Sequence, residues 1–167
     1  MHLQKVLLKS EKYPTNECYP FNMRIFSVTK SLTFDSPVTF FVGENGTGKS
    51  TLLEALCRRC GIHIWEGPKR RRADLNPYED AFYMAVEVRW RNGSVPGSFF
   101  SSDLFRNFSM LADEWTASDP SLIEYIGGKS LLTQSHGQSL MTWFRYRFRI
   151  KGLYLLDEPE TALSPKS

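Results

Sequence analysis

The stretch that most constrains this chain is Gly43-Glu44-Asn45-Gly46-Thr47-Gly48-Lys49-Ser50. It reads as glycine, four residues, then glycine, lysine and a hydroxyl. The almost continuous apolar run Pro37–Val42 precedes it, the pattern of a strand buried on both faces. Leu52, Leu53, Leu56, Cys57 and Cys60 follow close to one face at helical spacing. They predict a helix from Gly48 or Lys49 to about Cys60, stopped by Gly61. In a strand–loop–helix order, each residue type has a use. Gly43, Gly46 and Gly48 let the backbone bend so that successive N–H groups turn inward on phosphate. Glu44, Asn45 and Thr47 belong to the same binding set, and the helix N-terminus adds positive partial charge. Lys49 is placed for the β- and γ-phosphates of a nucleotide, Ser50 for Mg2+ through its hydroxyl, and Thr51 for the α-phosphate. A glycine-rich turn with a chance Lys-Ser does not explain the strand before and the helix after.

A second feature complements it. Leu153–Leu156 is an apolar strand that delivers Asp157 and Glu158 to its carboxyl end, where ligands of open α/β sheets bind. Asp157 suits Mg2+, directly or through water. Glu158 is next in line to orient or deprotonate an attacking water. The alternative is a charged turn after a strand. Glu158 and Lys49 are the candidate catalytic residues.

Between these lies Gln134-Ser135-His136-Gly137-Gln138, opening a predicted helix over Ser135–Phe148. Small residues at a helix start make a second anion site; a plain N-cap by Ser135 is the simpler reading of those residues alone. Other segments read as follows. Leu3–Lys9 is a candidate edge strand, Arg24–Phe34 a second strand or hairpin arm, and Phe82–Trp90 a strand. Asp103–Trp115 carries a helical stripe, Ser121–Ile126 a short helix, and Gly127-Gly128 a hinge-like break.

The order phosphate loop, helical insertion, "SHGQ" and "LLDEPETAL" resembles ABC-type ATPases. The wording is closest to small soluble bacterial ABC-like proteins described as AAA-family or predicted ATPases. Gln134, Ser135, His136, Gly137 and Gln138 occupy the five positions of the family's Leu-Ser-Gly-Gly-Gln signature, with Gln134 and His136 departing from it. Thr161-Ala162-Leu163-Ser164 resembles the D-loop. The resemblance implies an α/β fold of the P-loop NTPase, ABC ATPase type. It implies a mixed β-sheet, a helical insertion over about residues 102–134, and one ATP-binding domain over residues 1–167. It implies ATP and Mg2+ as cofactors and a homodimer that sandwiches ATP. Ser135, Gly137 and Gln138 of one copy would then complete the nucleotide site of the other.

The match also fails in places. The family's glutamine loop has no glutamine in "GSFFSSDLFRNF"; Asp103 is the nearest substitute, and an N-cap role for it is preferred. The family's switch histidine lies beyond the D-loop, and His2, His63 and His136 cannot be it. The C-terminal strands are expected to be missing, with exposed apolar sheet surface and poor solution behaviour as consequences. Tyr19, Phe21, Phe26 and Arg24 are in range of an adenine ring, although core packing is the preferred reading of the aromatics. Lys69-Arg70-Arg71-Arg72 is a weak nucleic-acid signal beside the commoner solvated loop.

Composition narrows the class. The 167 residues are 41% hydrophobic and 23% charged, with net charge +3, ordinary for a globular chain. No run of about 18 apolar residues suggests a membrane span, and the N-terminus lacks a signal-peptide pattern. A cytoplasmic protein is expected. Three cysteines do not form a disulfide framework, and Cys57-x-x-Cys60 lacks the second pair that a metal site needs. Core cysteines are the better reading. The two other functional readings are a nucleotide-dependent interaction module with little hydrolysis and a transporter's nucleotide-binding subunit.

Overall fold

Strand β1 (Leu3–Leu8) is the centre of a three-stranded antiparallel sheet, flanked by β2 (Ser31–Thr33) and β3 (Val86–Trp90). The computed structural model describes residues 1–66 and 76–162. Within them the chain forms two compact units, residues 1–64 with 76–99, and residues 65–66 with 100–162.

The edge position expected for β1 is therefore corrected. Leu3, Val6 and Leu8 are all buried, which a central strand permits. Leu3 and Val6 are three positions apart, an odd spacing that a regular strand would send to opposite faces. A register shift between Leu3 and Lys5 against β3 restores them to the same face, the work of a bulge.

Helix α1 (Arg24–Val28) replaces the strand expected over Arg24–Phe34, leaving only Ser31–Thr33 extended. Phe26 is the one buried residue of α1, packed on Phe82 with ring centroids 4.2 Å apart. Phe82–Ala85, expected as strand, forms a 3-10 turn that carries Phe82 and Ala85 inward before β3 begins. Tyr13 closes this cluster, its hydroxyl donating to the Phe26 carbonyl at 2.9 Å. Burial, helped by the charge of Glu11, pushes the Tyr13 phenol up to about 12.

Helix α2 (Lys49–Arg59) buries Leu52, Leu53, Ala55, Leu56 and Cys57 against this unit. It stops as expected at Gly61. The Ile62 amide donates to the Cys57 carbonyl at 2.8 Å and the Gly61 amide to Arg58 at 3.3 Å, the paired bonds of a Schellman end.

The apolar run Pro37–Val42 is the largest departure from the sequence reading. It lies in neither sheet, and Val38, Phe40 and Val42 are exposed, the last two at 83% and 93%. A strand buried on both faces needs neighbours at both edges, and no described strand pairs with these residues.

Strand β4 (Gly97–Ser101), which the sequence reading did not identify, leads into the second unit and pairs with β5 (Leu153–Asp157). β4 runs directly into α3 (Ser102–Ser118). Ser101, not Asp103, holds the N-cap position of α3. Asp103 sits in the first turn, where its charge suits the helix dipole. Pro120–Ile126 is a 3-10 turn. Asp119 accepts from the Ser121 amide and hydroxyl there, which holds its carboxyl below the ordinary range. Phe100, Phe105, Ala112, Ile126, Leu131, Leu140 and Trp143 form the core of this unit. Gly127 is a close approach rather than a free hinge, since a Cβ there would strike the Thr142 side chain of α4 (His136–Arg147).

Cys57 follows the core reading, and Cys60, half-buried, follows it in part. Cys57 is buried, and burial pushes the Cys60 thiol up to about 11, Arg59 only partly opposing it. Cys18 is exposed. Among the described residues no group of His, Cys, Asp and Glu is arranged to hold a metal by itself. At about pH 8, where a thiol with so high a pKa carries little thiolate, Cys18 is expected to react with a maleimide in the folded chain. Cys57 and Cys60 are expected to react only after unfolding. Mass spectrometry of the labelled chain checks this, and prompt labelling of Cys60 would contradict it.

Candidate functional site

Three positions of the loop show how it is shaped. Gly46 and Gly48 have φ of 79° and 92°, in the left-handed region. Gly48 is also the N-cap of α2, and a Cβ added there would lie 2.7 Å from Cζ of Phe26. Phe26 is only 2% exposed and is held by Phe82, so it cannot yield cheaply. Thr47 tightens the curve, its hydroxyl donating to the Glu44 carbonyl at 2.8 Å.

Lys49 lies back along the loop. Its ammonium donates to the carbonyls of Gly43 at 2.8 Å and Glu44 at 2.9 Å. An ammonium has three hydrogens, so one remains beyond these two bonds. Ser50 and Thr51 follow in the first turn of α2. Thr51 Oγ1 lies 2.7 Å from the Tyr19 hydroxyl. Of the aromatics in range of a base, Phe21 and Phe26 are core residues, while Tyr19 is 42% exposed.

The loop belongs to the first unit; Ser135–Gln138 and Asp157–Glu158 belong to the second. Ser135 is the N-cap of α4 in a full capping box. Its hydroxyl accepts from the Gln138 amide at 3.4 Å, and the Ser135 amide donates to Gln138 Oε1 at 3.3 Å. Gln134, which stands where the signature has leucine, bridges inward between Ser130 and Thr142. Gly137 lies within the first turn of the helix.

Asp157 ends β5. Glu158 has a φ of 46°, the only positive value for a non-glycine residue among those described. That conformation costs on the order of 1–2 kcal/mol. Three donors hold its carbonyl: Ser102 Oγ at 2.5 Å, Thr161 Oγ1 at 2.8 Å and the Thr161 amide at 3.2 Å. The lock holds a strained, exposed residue just past the strand end. Ser102 was missed by sequence reasoning because the bond spans 56 positions, and a serine before a helix signals only a cap. Lys69–Arg72, and Leu163 and Ser164 of the segment that resembles a D-loop, lie outside the described residues.

A family of AAA domains matches residues 21–76, which takes in the whole loop and α2. Together with the matches below, this supports a P-loop ATPase of the AAA/ABC kind. It is similar to the DNA replication and repair protein RecF of two Leptospira interrogans strains, serogroup Icterohaemorrhagiae serovars copenhageni and Lai. Each is 50% identical over 46 residues. That match covers 28% of this chain and only 12% of each RecF. No solved structure matches the chain. The mixed α/β architecture is compatible with a P-loop NTPase, and no described helix is long and apolar enough to cross a membrane.

The Gly48 geometry of the loop yields a direct test. Gly48→Ala is expected to lose about 3 kcal/mol, from the left-handed backbone plus the clash with Phe26. Gly46→Ala meets nothing within 4 Å and is expected to lose about 1–2 kcal/mol. Urea unfolding of the two variants checks the order; equal losses would show that Phe26 gives way.

Proposed function

We propose that this chain binds ATP with Mg2+ and hydrolyses it as an ABC-class ATPase, with two copies sandwiching the nucleotide. The observation that carries the reading is the shaped loop over Gly43–Ser50, with Lys49 folded back on it. Loop amides from Gly43 to Gly48 would receive phosphate oxygens, and the third hydrogen of the Lys49 ammonium would meet the β- and γ-phosphates.

Ser50 and Asp157, whose hydroxyl and carboxylate are hard oxygen donors of the kind Mg2+ takes, would be the residues that hold the ion. Mg2+ commonly takes one or two protein oxygens and completes its shell with phosphate and water. Such an ion, when bound, neutralises charge on the transferring phosphoryl group. Glu158 is assigned to orient the attacking water and accept its proton. Its exposed position and locked backbone suit a group that must meet water at a fixed place. Ser135, Gly137 and Gln138 are assigned to the γ-phosphate side of the partner copy's nucleotide. Asp157 and Glu158 on one strand end favour an enzyme over a binding module, because binding alone does not need the second acid.

One observation supports the nucleotide-dependent interaction module as a second reading. The Ser135 and Gln138 side chains are committed to their own capping box. If that bond persists with nucleotide bound, these side chains serve the helix rather than the reaction.

Glu158→Gln separates the readings. It keeps the shape of the side chain and removes the base. Steady-state turnover is expected to fall by about 100-fold or more, while ATP still binds and drives dimerisation in sedimentation. Unchanged turnover would remove Glu158 from catalysis. An ATP-saturated monomer would remove the sandwich.

A further inference from the structure

The Tyr19 hydroxyl reaches the phosphate-loop helix from 32 positions upstream and meets Thr51 Oγ1 at 2.7 Å. Thr51 is the third residue of α2. Helical Cβ atoms tilt toward the N-terminus, so this hydroxyl leans over the end of the helix that faces the loop. A threonine in a helix ordinarily turns its hydroxyl back on a carbonyl one turn earlier. Here its partner is the phenol.

The main chain that presents the phenol is itself held. Asn76 Nδ2 donates to the Tyr19 carbonyl at 2.7 Å, and Asn76 Oδ1 accepts from the Tyr78 amide at 3.0 Å. The Tyr19 main chain is thus tied to the segment that leads toward β3. Its ring remains partly exposed rather than buried with Phe21. Nothing in the core requires the hydroxyl, because the ring partners of this cluster are Tyr13, Phe21, Phe26, Tyr78 and Phe82.

Each hydroxyl brings one hydrogen to the pair. The phenol is the stronger acid and therefore the better donor. If Tyr19 donates, the single Thr51 hydrogen is left for another acceptor. A hydroxyl that already accepts one bond is polarised to donate a stronger second one.

We propose that Tyr19 is a positioning residue of the nucleotide site: its hydroxyl donates to Thr51 and turns the Thr51 hydrogen toward a phosphate oxygen. Asn76 fixes the main chain from which that hydroxyl is presented. The inference rests on the nucleotide reading of the loop and adds to it a residue that lies outside the glycine–lysine motif. It requires the hydroxyl of Tyr19 and not its ring.

The test is a double-mutant cycle on the full chain, read by calorimetric titration with ATP and magnesium chloride. Tyr19→Phe keeps the ring and is expected to weaken ATP binding about three- to tenfold. Its melting temperature without nucleotide is expected to stay within about 2 °C of wild type. Thr51→Val is expected to weaken binding at least as much. The double variant is expected to bind no more weakly than Thr51→Val alone, because the two hydroxyls act as one. Asn76→Ala provides a second route, moving affinity in the same direction without touching the ring. Unchanged affinity in Tyr19→Phe, or losses that add in the double variant, would overturn the positioning role while leaving the nucleotide reading in place. A wild-type chain that does not bind ATP would remove both.

Discussion

The contact between Gly48 and Phe26 ties the chemistry of this chain to its fold. The left-handed glycine begins α2 and brings the backbone so close to a buried ring that no side chain fits between them. Phe26 is fixed by Phe82, Phe82 by Phe21, and Phe21 by Tyr13. The loop is thus clamped at its helical end by an aromatic core. Anion binding by backbone amides needs that rigidity, since amides ordered only on binding would cost conformational entropy each time.

The polar groups assigned to function are arranged differently from the core but with the same consequence. Lys49 rests on Gly43 and Glu44, Tyr19 on Thr51, and the Glu158 carbonyl on Ser102 and Thr161. Each bond sets the direction in which a neighbouring group is offered. At Glu158 the offset is visible: three hydrogen bonds hold a backbone conformation that would otherwise be unfavourable. A bond worth about 1 kcal/mol can hold a geometry but adds little to global stability, so such residues affect function before they affect folding.

Much of this was legible from local signals. The glycine spacing, the stripe over Leu52–Cys57 and the stop at Gly61 marked the loop and α2. Ser135 marked the start of α4, and the apolar run into Asp157 marked β5. Each depends on residues within a few positions of one another. Pro37–Val42 failed because an apolar run becomes a strand only when other strands pair with it, and pairing is tertiary. Arg24–Val28 failed for a related reason: Phe26 alone is drawn inward, and one residue leaves no period to read. Ser102 with Glu158 and Tyr19 with Thr51 were invisible because they join residues 56 and 32 positions apart. The loop residues were identifiable by spacing, whereas the supports that aim them were not.

The central claim is that Gly43–Thr51 is a built nucleotide site whose lysine serves phosphate. Calorimetric titration of the wild-type chain and Lys49→Met with ATP and magnesium chloride tests it most directly. The wild type is expected to bind one ATP per chain, and Lys49→Met at least about tenfold more weakly, the loss of a charge-assisted contact. Equal binding by the two, or none by the wild type, would contradict the account.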